Sequence, residues 1–175
     1  VNIFLYEKSN LLKNLQKKNI KNSRVKWIKN FSEINKGPII FFGNEFFDSI
    51  PVKQFLRKKK ILFEKYYSLN NKNKIIEIYK KASIKDILQI KKFKVLDNLK
   101  FVEFPKLGLD ELNKIVKKIS KHGGGLLLID YGYLTPKNKN TLQSLIKHKR
   151  NNLLDNLGKA DITSLVNFNL LNEYF

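Results

Sequence analysis

Short apolar runs separated by polar turns dominate the first third of the chain. Ser9 or Asn10 can cap a helix between the first two runs, and that helix is predicted to end near Lys18. The order strand, helix, strand, loop, strand predicts an α/β fold with a parallel sheet. Four consecutive apolar residues in the last run predict a strand that is buried on both faces. The runs that predict strands are Asn2–Tyr6, Val25–Ile28 and Ile39–Phe42.

The middle of the chain has another pattern, in which basic and aromatic residues are mixed. A basic run at 57–60 is followed by a strand candidate, a turn rich in Asn and Lys, and a second strand that can pair back as a hairpin. The pattern predicts an inserted α+β subdomain over residues 55–105. Tyr66 and Tyr67 could stack on bases, although aromatic residues in strands more commonly pack. The predicted elements are strands at Ile61–Tyr67 and Ile75–Tyr79, a helix at Ile84–Ile90 and an extended segment at Phe101–Pro105.

The last third of the chain contains the strongest helical periodicity. Apolar residues recur at helical spacing from Leu112 to Ile119, and Asp110 is the predicted cap. The glycines at 123–125 end this helix, and because they precede the apolar strand Leu126–Ile129 they predict a turn rather than a phosphate loop. A short helix or loop is predicted over Thr141–Arg150, with an amphipathic segment from 164 to the end.

Polar side chains follow several of the predicted strands at the point where each strand ends. Glu7 follows the first, Asn44, Glu45 and Asp48 follow the third, and Asp130 follows the strand at 126–129. Open α/β sheets bind ligands at the carboxyl ends of their strands, which makes these residues candidates for a site. Glu7 could accept hydrogen bonds from both hydroxyls of a ribose. The alternative is structural, because Asn, Asp and Glu at such positions also cap helices and form turns.

Composition excludes some kinds of chemistry. The chain has 175 residues and no Cys, so it has neither disulfides nor a cysteine nucleophile. No spacing of His and carboxylates predicts a metal site, no nucleophile elbow or phosphate-binding loop occurs, and no apolar run is long enough to span a bilayer. The net charge is +20, but only three of the 35 basic residues are Arg. We therefore interpret the lysines as mainly solvated surface, with weak, salt-dependent binding of polyanions.

Two features of the sequence predict an internal fragment. The chain contains no Met, and it begins at Val1 within a strand-like run. Any motif that precedes this residue in a longer protein would not be seen here.

Three separated segments resemble one family in the same order. Residues 44–55 resemble an Asn-Glu-φ-φ-Asp-Ala-φ-Pro-Val-Arg-Gln-φ signature, in which φ is an apolar residue. Residues 124–132 resemble a Gly-φ-φ-φ-Ile-Asp-Tyr-Gly strand, and residues 141–168 resemble a long C-terminal signature. The family is the MidA-like S-adenosylmethionine-dependent methyltransferases, which includes the mitochondrial arginine methyltransferase that assists assembly of respiratory complex I. Departures from its pattern are Asn140, Leu157 and Asn167, where the family usually has Gly, Pro and Asp.

This resemblance implies a class I methyltransferase fold, a Rossmann-like three-layer α/β sandwich that is truncated at both ends here. Residues 1–54 would be strands 2–4 of the core, residues 55–105 an inserted lid or substrate subdomain, and residues 106–175 the continuation of the core. The glycine-rich loop would lie before Val1 and the last two strands beyond Phe175. We therefore expect a marginal or dimer-dependent fold, and a fragment that is inactive alone.

The resemblance also implies roles for individual residues. Glu7 would hold the cofactor ribose, while Phe31 and Ser32 would lie near the adenine. Asn44 would lie beside both the methyl donor and the acceptor. The implied catalytic residues are Glu45, Asn44 and Asp48, and the implied substrate-binding residues are Gln54, Asp130, Tyr131, Gln143 and His148.

The expected function is methyl transfer from S-adenosylmethionine to a protein side-chain nitrogen, with arginine as the acceptor. The expected partner is a protein substrate, for which a respiratory complex I subunit is the candidate, and a homodimer is considered. No specific nucleic acid is expected. The expected location is the bacterial cytoplasm or the mitochondrial matrix. Two alternatives stay open: a non-catalytic assembly factor that retains the fold, and an RNA-binding or RNA-modifying protein, which rests on charge alone.

Overall fold

The structure, a computed structural model, describes residues 1–175. Strands and helices alternate in its first part, which confirms the α/β expectation. None of the helices combines the length and the apolarity that are needed to cross a bilayer. In chain order the elements are β1 (Ile3–Tyr6), α1 (Asn10–Asn19), β2 (Val25–Ile28), β3 (Ile39–Asn44), β4 (Lys53–Lys58), β5 (Ile61–Leu69), β6 (Ile75–Lys81), α2 (Ile84–Ile90), β7 (Phe101–Phe104), α3 (Lys106–His122), β8 (Gly124–Ile129), β9 (Gly132–Tyr133), β10 (Gln143–Ile146), β11 (Lys149–Asn151), β12 (Asp161–Thr163), β13 (Val166–Asn167) and α4 (Phe168–Tyr174).

The chain divides into two compact units. The first unit consists of Val1–Phe42 and Leu112–Leu127, and the second consists of Gly43–Glu111 and Leu128–Phe175. These boundaries differ from the expected division at residues 54 and 105, which stays a prediction.

The first unit contains the predicted strand–helix–strand arrangement. β1 and β2 pair in parallel, with Ile3 opposite Val25. Ser9 caps α1, because its side chain accepts a hydrogen bond from the N–H of Leu12 at 3.3 Å. These observations confirm the predicted strands, the helix and its cap. The core of this unit is formed by the buried side chains of Ile28, Phe31, Ile34, Leu112 and Ile115.

The prediction that the strand at Ile39–Phe42 is buried on both faces is wrong. β3 pairs with β8 in a two-stranded sheet. Ile40 is 82% exposed and Phe42 is 60% exposed, whereas Phe41, on the other face of the strand, packs against Phe31 with 5.8 Å between ring centroids. An uninterrupted apolar run therefore predicts the strand correctly here but not the covering of its second face.

The second unit contains an antiparallel sheet with the strand order β6-β5-β4-β7. Phe55 of β4 lies opposite Val102 of β7, and both side chains are fully buried. The predicted hairpin, the helix at Ile84–Ile90 and the extended segment at Phe101–Pro105 are confirmed as β5–β6, α2 and β7, the last of which ends one residue earlier, at Phe104. The pattern did not predict β4, because the basic run at its end obscured the alternation of apolar residues.

The helix considered for Thr141–Arg150 is wrong, because this segment forms a β-hairpin. β10 pairs with β11 on one side and with β12 on the other. Lys147 and His148 both have positive φ, 49° and 62°, as a two-residue hairpin turn requires. Leu142, Leu145 and Ile146 have spacings that also fit a helix, so periodicity could not distinguish the two structures.

The longest helix begins earlier than expected. α3 starts at Lys106, directly after Pro105, so the prediction that Asp110 caps it is wrong. At the other end, the N–H of Gly123 donates to the carbonyl of Ile119 at 2.8 Å, and β8 begins one residue later. The predicted turn from helix to strand at the glycine run is confirmed.

Candidate active site

The backbone changes direction sharply where β3 ends, at Asn44 and Glu45. Glu45 has φ 48°, the left-handed region that residues other than Gly seldom adopt. Its N–H donates to the carbonyl of Ile129 at 2.8 Å, which ties the end of β3 to the end of β8. Both Asn44 and Glu45 are exposed. Left-handed non-glycine residues are concentrated at functional sites, where the surrounding structure offsets their strain.

Asp130 holds the loop that follows. Its Oδ2 accepts the N–H groups of Phe47 at 2.8 Å and of Asp48 at 3.3 Å. Its Oδ1 accepts the N–H of Tyr131 at 2.8 Å. Asp130 is thus committed to backbone donors, and it positions Asp48 as a consequence.

The segment around β13 fixes the same loop from its other side. The N–H of Ser164 donates to the carbonyl of Asp48 at 2.9 Å, and the N–H of Val166 donates to the carbonyl of Tyr131 at 2.8 Å. Gly132 permits this approach, because a Cβ atom there would lie 2.3 Å from the carbonyl oxygen of Val166. The loop, the end of β8 and the C-terminal segment therefore meet at Asp48.

The Asp48 carboxyl group is the unusual group at this position. The residue is only 9% exposed, and its Oδ1 is buried without a hydrogen-bond partner. Burial, together with the nearby charges of Asp130, Glu45 and Asp161, raises the pKa of Asp48 to about 6, although a hydrogen bond from the Ser49 backbone opposes the shift. Buried polar atoms without partners are rare in native proteins, and this one is free to bind a cation or a proton.

These four acidic residues form what we name the Asp48 cluster: Glu45, Asp48, Asp130 and Asp161. Glu45 and Asp161 are exposed, so a ligand can approach from solvent. Asp130, Glu45 and Asp161 act on the Asp48 carboxyl group through their negative charges, which favours a cationic ligand at this position. A planar guanidinium is well suited to such a site, because its five N–H donors can be shared between several carboxylate oxygens.

Gln54 takes part in a separate buried arrangement, which we name the Glu103 network. Its Nε2 donates to Glu103 Oε1 at 2.9 Å and to Asn140 Oδ1 at 2.6 Å. Thr141 donates to the same carboxylate through its N–H at 3.1 Å and through its hydroxyl at 2.5 Å. The network joins β4, β7 and the segment before β10. The structure thus gives Gln54 hydrogen-bond partners inside the protein, and its predicted role in substrate binding stays a prediction.

The other predicted substrate-binding residues do not all lie at the Asp48 cluster. Tyr131 is 64% exposed and directly follows Asp130, so it lies at the cluster. Gln143 donates to the hydroxyl of Thr163 at 3.1 Å, in the strand that also carries Asp161. His148 is exposed in the turn between β10 and β11, and its predicted role in substrate binding stays a prediction.

Of the predicted cofactor residues, Glu7, Phe31 and Ser32 lie in the first unit, whereas Asn44 lies in the second. Glu7 accepts the N–H of Ser9 at 2.7 Å and the amide of Gln16 at 3.3 Å, one on each carboxylate oxygen. Each oxygen retains a lone pair, so the carboxylate could also accept from a ribose and fits that part of a nucleoside cofactor. Ser32 is exposed, whereas Phe31 is 6% exposed and packs against Tyr6 at 4.5 Å between ring centroids. Their predicted places near the adenine stay predictions.

Two acidic residues were not among the predicted site residues. Asp161 belongs to the C-terminal segment of the resemblance, and a charged residue next to the apolar Ile162 could have indicated it. Glu103 was detectable as the one carboxylate in the apolar run Phe101–Phe104. Glu103 is only 9% exposed, and a buried carboxylate needs several hydrogen-bond donors to offset the cost of its desolvation.

Comparison with known proteins identifies the family. The family model described as "Putative S-adenosyl-L-methionine-dependent methyltransferase" matches residues 1–175. The chain belongs to this family, and the expected MidA-like methyltransferase assignment is confirmed.

Curated relatives and solved structures agree with this assignment. The chain is 30% identical over 148 residues, 83% of its length, to "Protein arginine methyltransferase NDUFAF7 homolog, mitochondrial" of Caenorhabditis elegans. It is 24% identical over 151 residues, 84% of its length, to the mitochondrial protein arginine methyltransferase NDUFAF7 of Danio rerio. A Burkholderia thailandensis structure bound to S-adenosyl-homocysteine matches 99% of the chain at 18% identity with a TM-score of 0.76. A native structure of a protein from the same organism matches 99% at 17% identity with a TM-score of 0.79. The class I methyltransferase fold is thereby confirmed.

The match covers only part of these proteins. The chain spans 34% of the C. elegans relative and 35% of the D. rerio relative. It spans 47% and 49% of the two B. thailandensis chains.

Proposed function

We propose that this chain supplies the acceptor side of a methyltransferase that methylates an arginine side chain of a protein. The observation that carries the proposal is the Asp48 carboxyl group, which is nine-tenths buried, has an unpartnered oxygen and is surrounded by three further carboxylates. Family membership and the names of the curated relatives support the reaction type and the kind of acceptor.

The acceptor poses a specific chemical problem. A guanidinium is protonated at any physiological pH, so the attacking nitrogen must lose a proton during transfer. Glu45 at the rim would orient the guanidinium by charge-assisted hydrogen bonds, with Asp161 beside it. Asp48 would accept the proton, since a pKa of about 6 leaves it largely ionised at neutral pH but basic enough to take a proton.

The cofactor would supply a methyl group that is activated on a sulfonium. In the first unit, Glu7 would accept from the ribose hydroxyls and Ser32 would lie toward the base, with Phe31 as support. In the second unit, Asn44 is exposed and directly precedes Glu45 at the end of β3. Alignment of donor and acceptor would account for much of the rate, because methyl transfer requires an in-line approach.

The partner and the location follow from the relatives and are also proposals. The names of the curated relatives support a protein substrate and, for a eukaryotic source, the mitochondrial matrix. A respiratory complex I subunit is the first substrate to test, because the resembled family includes a complex I assembly methyltransferase. Homodimerisation is a further proposal.

The test is Glu45→Gln in the full-length protein. Methylation of an arginine-containing protein substrate should fall at least about 10-fold, while calorimetry should show unchanged binding of S-adenosylhomocysteine. Glu173→Gln is the matched control, because its exposed carboxylate only accepts the N–H of Val95. Normal turnover in Glu45→Gln would remove Glu45 from the mechanism. A wild-type protein that binds the cofactor but methylates no arginine would favour the non-catalytic assembly factor.

A further inference from the structure

The hairpin of β5 and β6 exposes several apolar residues on one side of the sheet, where Lys65 and Glu77 also lie. Alternate residues of a strand share a face, and cross-strand partners share it as well. The register pairs Lys65 with Tyr79, Tyr67 with Glu77 and Leu69 with Ile75, which places all of them on one side. The exposed apolar members, which we name the hairpin face, are Ile61 (48%), Tyr67 (38%), Leu69 (64%), Ile75 (41%) and Tyr79 (38%).

Lysines surround this face. Lys58 Nζ lies 6.0 Å from the ring centroid of Tyr79, and Lys65 Nζ lies 5.0 Å from that of Tyr67. Residues 57–81 contain nine basic and two acidic residues, a net charge of +7. One of the two acidic residues, Glu77, is already paired with Lys65 at 2.5 Å. The surface is therefore both apolar and strongly positive.

The hairpin also ends in an open edge. β6 is the outer strand of the sheet β6-β5-β4-β7, so one side of its backbone has no neighbouring strand. Such an edge can pair with an extended segment of another protein. Side chains of an added strand that lie on the hairpin-face side would contact Ile75 and Tyr79. Those on the opposite side would lie near Lys80, whose Nζ is 5.6 Å from the Tyr66 ring.

We propose that β6 and the hairpin face bind an extended segment of a partner protein in which apolar residues alternate with acidic residues. The apolar residues extend the hairpin face, and the acidic residues complement the lysines around it. This inference does not depend on methyl transfer, because it rests only on the hairpin.

A protein segment fits this surface better than a nucleic acid does. Base stacking needs free ring faces, but lysine ammonium groups lie within 6.0 Å of the rings of Tyr66, Tyr67 and Tyr79. Arg57 is occupied, because its guanidinium donates to the carbonyls of Leu96 and Leu99 at 3.0 Å. Only a polypeptide can also continue the backbone hydrogen bonding of β6.

The test uses fluorescence anisotropy with the whole protein and two labelled probe peptides, one alternating Val and Glu and the other alternating Val and Lys. The acidic peptide should bind at least about 10-fold more tightly than the basic peptide, and Lys80→Glu with Lys81→Glu should remove that preference. Lys91→Glu with Lys92→Glu is the control, because these neighbours are also exposed and change the net charge equally. Hydrogen exchange on the wild type should show new protection of β6 amides when the acidic peptide is bound.

Three results would overturn the proposal. Equal binding of the two peptides is the first, and unchanged β6 exchange upon binding is the second. The third is tighter binding of a single-stranded uridine oligonucleotide that Lys80→Glu with Lys81→Glu abolishes, since that would make the hairpin a nucleic-acid site.

Discussion

Two buried aspartates of the second unit show opposite electrostatic environments. Asp86 is 2% exposed and Asp48 is 9% exposed. Burial would raise the pKa of Asp86, but hydrogen bonds from Lys53, Ser83 and Lys106 outweigh it and lower the pKa to about 2. For Asp48, burial and neighbouring carboxylates act together and raise the pKa to about 6. The difference lies in the neighbours, and it separates a residue that stabilises the fold from one that is available for chemistry.

The contacts of Asp86 have a clear structural role. Lys53 of β4 and Lys106 of α3 contact its two oxygens at 2.9 and 3.0 Å. Ser83 caps α2, accepting the N–H of Asp86 at 3.1 Å and donating its hydroxyl to Asp86 at 2.7 Å. Lys53 also pairs with the buried Glu64 at 3.0 Å. The charge of Asp86 is thus compensated by two lysines, whereas the charged neighbours that shift the pKa of Asp48 are themselves negative.

The largest expected effect comes from Asp48→Asn on activity. The amide cannot accept the proton of the guanidinium, so methylation should fall about 100-fold or more in the full-length protein. In the wild type the rate should rise with pH through about 6, as Asp48 ionises. Radiolabelled methyl transfer between pH 5 and 8 would measure both effects.

The control for this variant is Asp97→Asn, an exposed aspartate outside the cluster. A rate for Asp48→Asn within a few-fold of this control would show that Asp48 is not the base, even if binding of the cofactor and the substrate is unaffected.

An effect of similar size is expected from Asp86→Ala, on stability. The substitution leaves Lys106 without its buried partner, and breaking such a pair costs about 3 kcal/mol. Because the pKa of Asp86 is lowered, its contribution is present above pH 4 and is lost as the pH falls through about 2. Urea unfolding at pH 7 would measure the loss, and a change below about 0.5 kcal/mol would contradict the structural role.

In the same urea assay, Asp48→Asn should increase the free energy of unfolding, whereas Asp86→Ala decreases it. A raised pKa means that the ionised carboxylate opposes folding, so the native protein loses stability as the pH rises through about 6. The amide avoids this cost, and Asp48→Asn should be more stable than wild type by about 1–3 kcal/mol at pH 7.5. The gain should disappear below pH 4, and an equal gain at both pH values would point to packing instead of charge.

The smallest effect is expected from Asp161→Asn. This exposed residue makes a smaller contribution to the raised pKa of Asp48 than Asp130 or Glu45 does, so its removal should lower that pKa slightly. The acid limb of the pH–rate profile should move to lower pH by a few tenths of a unit, with little change in stability. A shift to higher pH would contradict the repulsion between the two carboxylates.

Most local elements of the fold were predictable from the sequence because they depend on local periodicity. The β1–α1–β2 arrangement, the β5–β6 hairpin and α2 all follow from alternation, spacing and caps. The hairpin at 143–151 did not, because its turn uses Lys147 and His148 in place of the Asn-Gly or Asp-Gly pairs that normally indicate such turns. Burial is a tertiary property, so the exposure of Ile40 and Phe42 was not predictable from an apolar run.

The site was predictable to a lesser degree. The position of Glu45, Asp48 and Asp130 at strand ends follows from the general geometry of α/β sheets. The different roles of Asp130 and Asp48 were not predictable, because they depend on tertiary contacts: backbone N–H groups occupy Asp130, while Asp48 keeps an oxygen without a hydrogen-bond partner. The contribution of Asp161 depends on the β10–β12 pairing, which periodicity did not predict.

The glycine run at 123–125 has a consequence for how substitutions should be tolerated along this chain. A Cβ atom at Gly124 would lie 1.8 Å from the carbonyl oxygen of Ile39, with φ 126°, so no larger residue can replace it without separating β3 from β8. Gly123 has open space around it but φ 74°, which Asn could adopt at modest cost. Gly125 has neither restriction. The three glycines therefore differ strongly in their tolerance of substitution. A saturation library across them should accept nearly any residue at Gly125, few at Gly123 and none at Gly124.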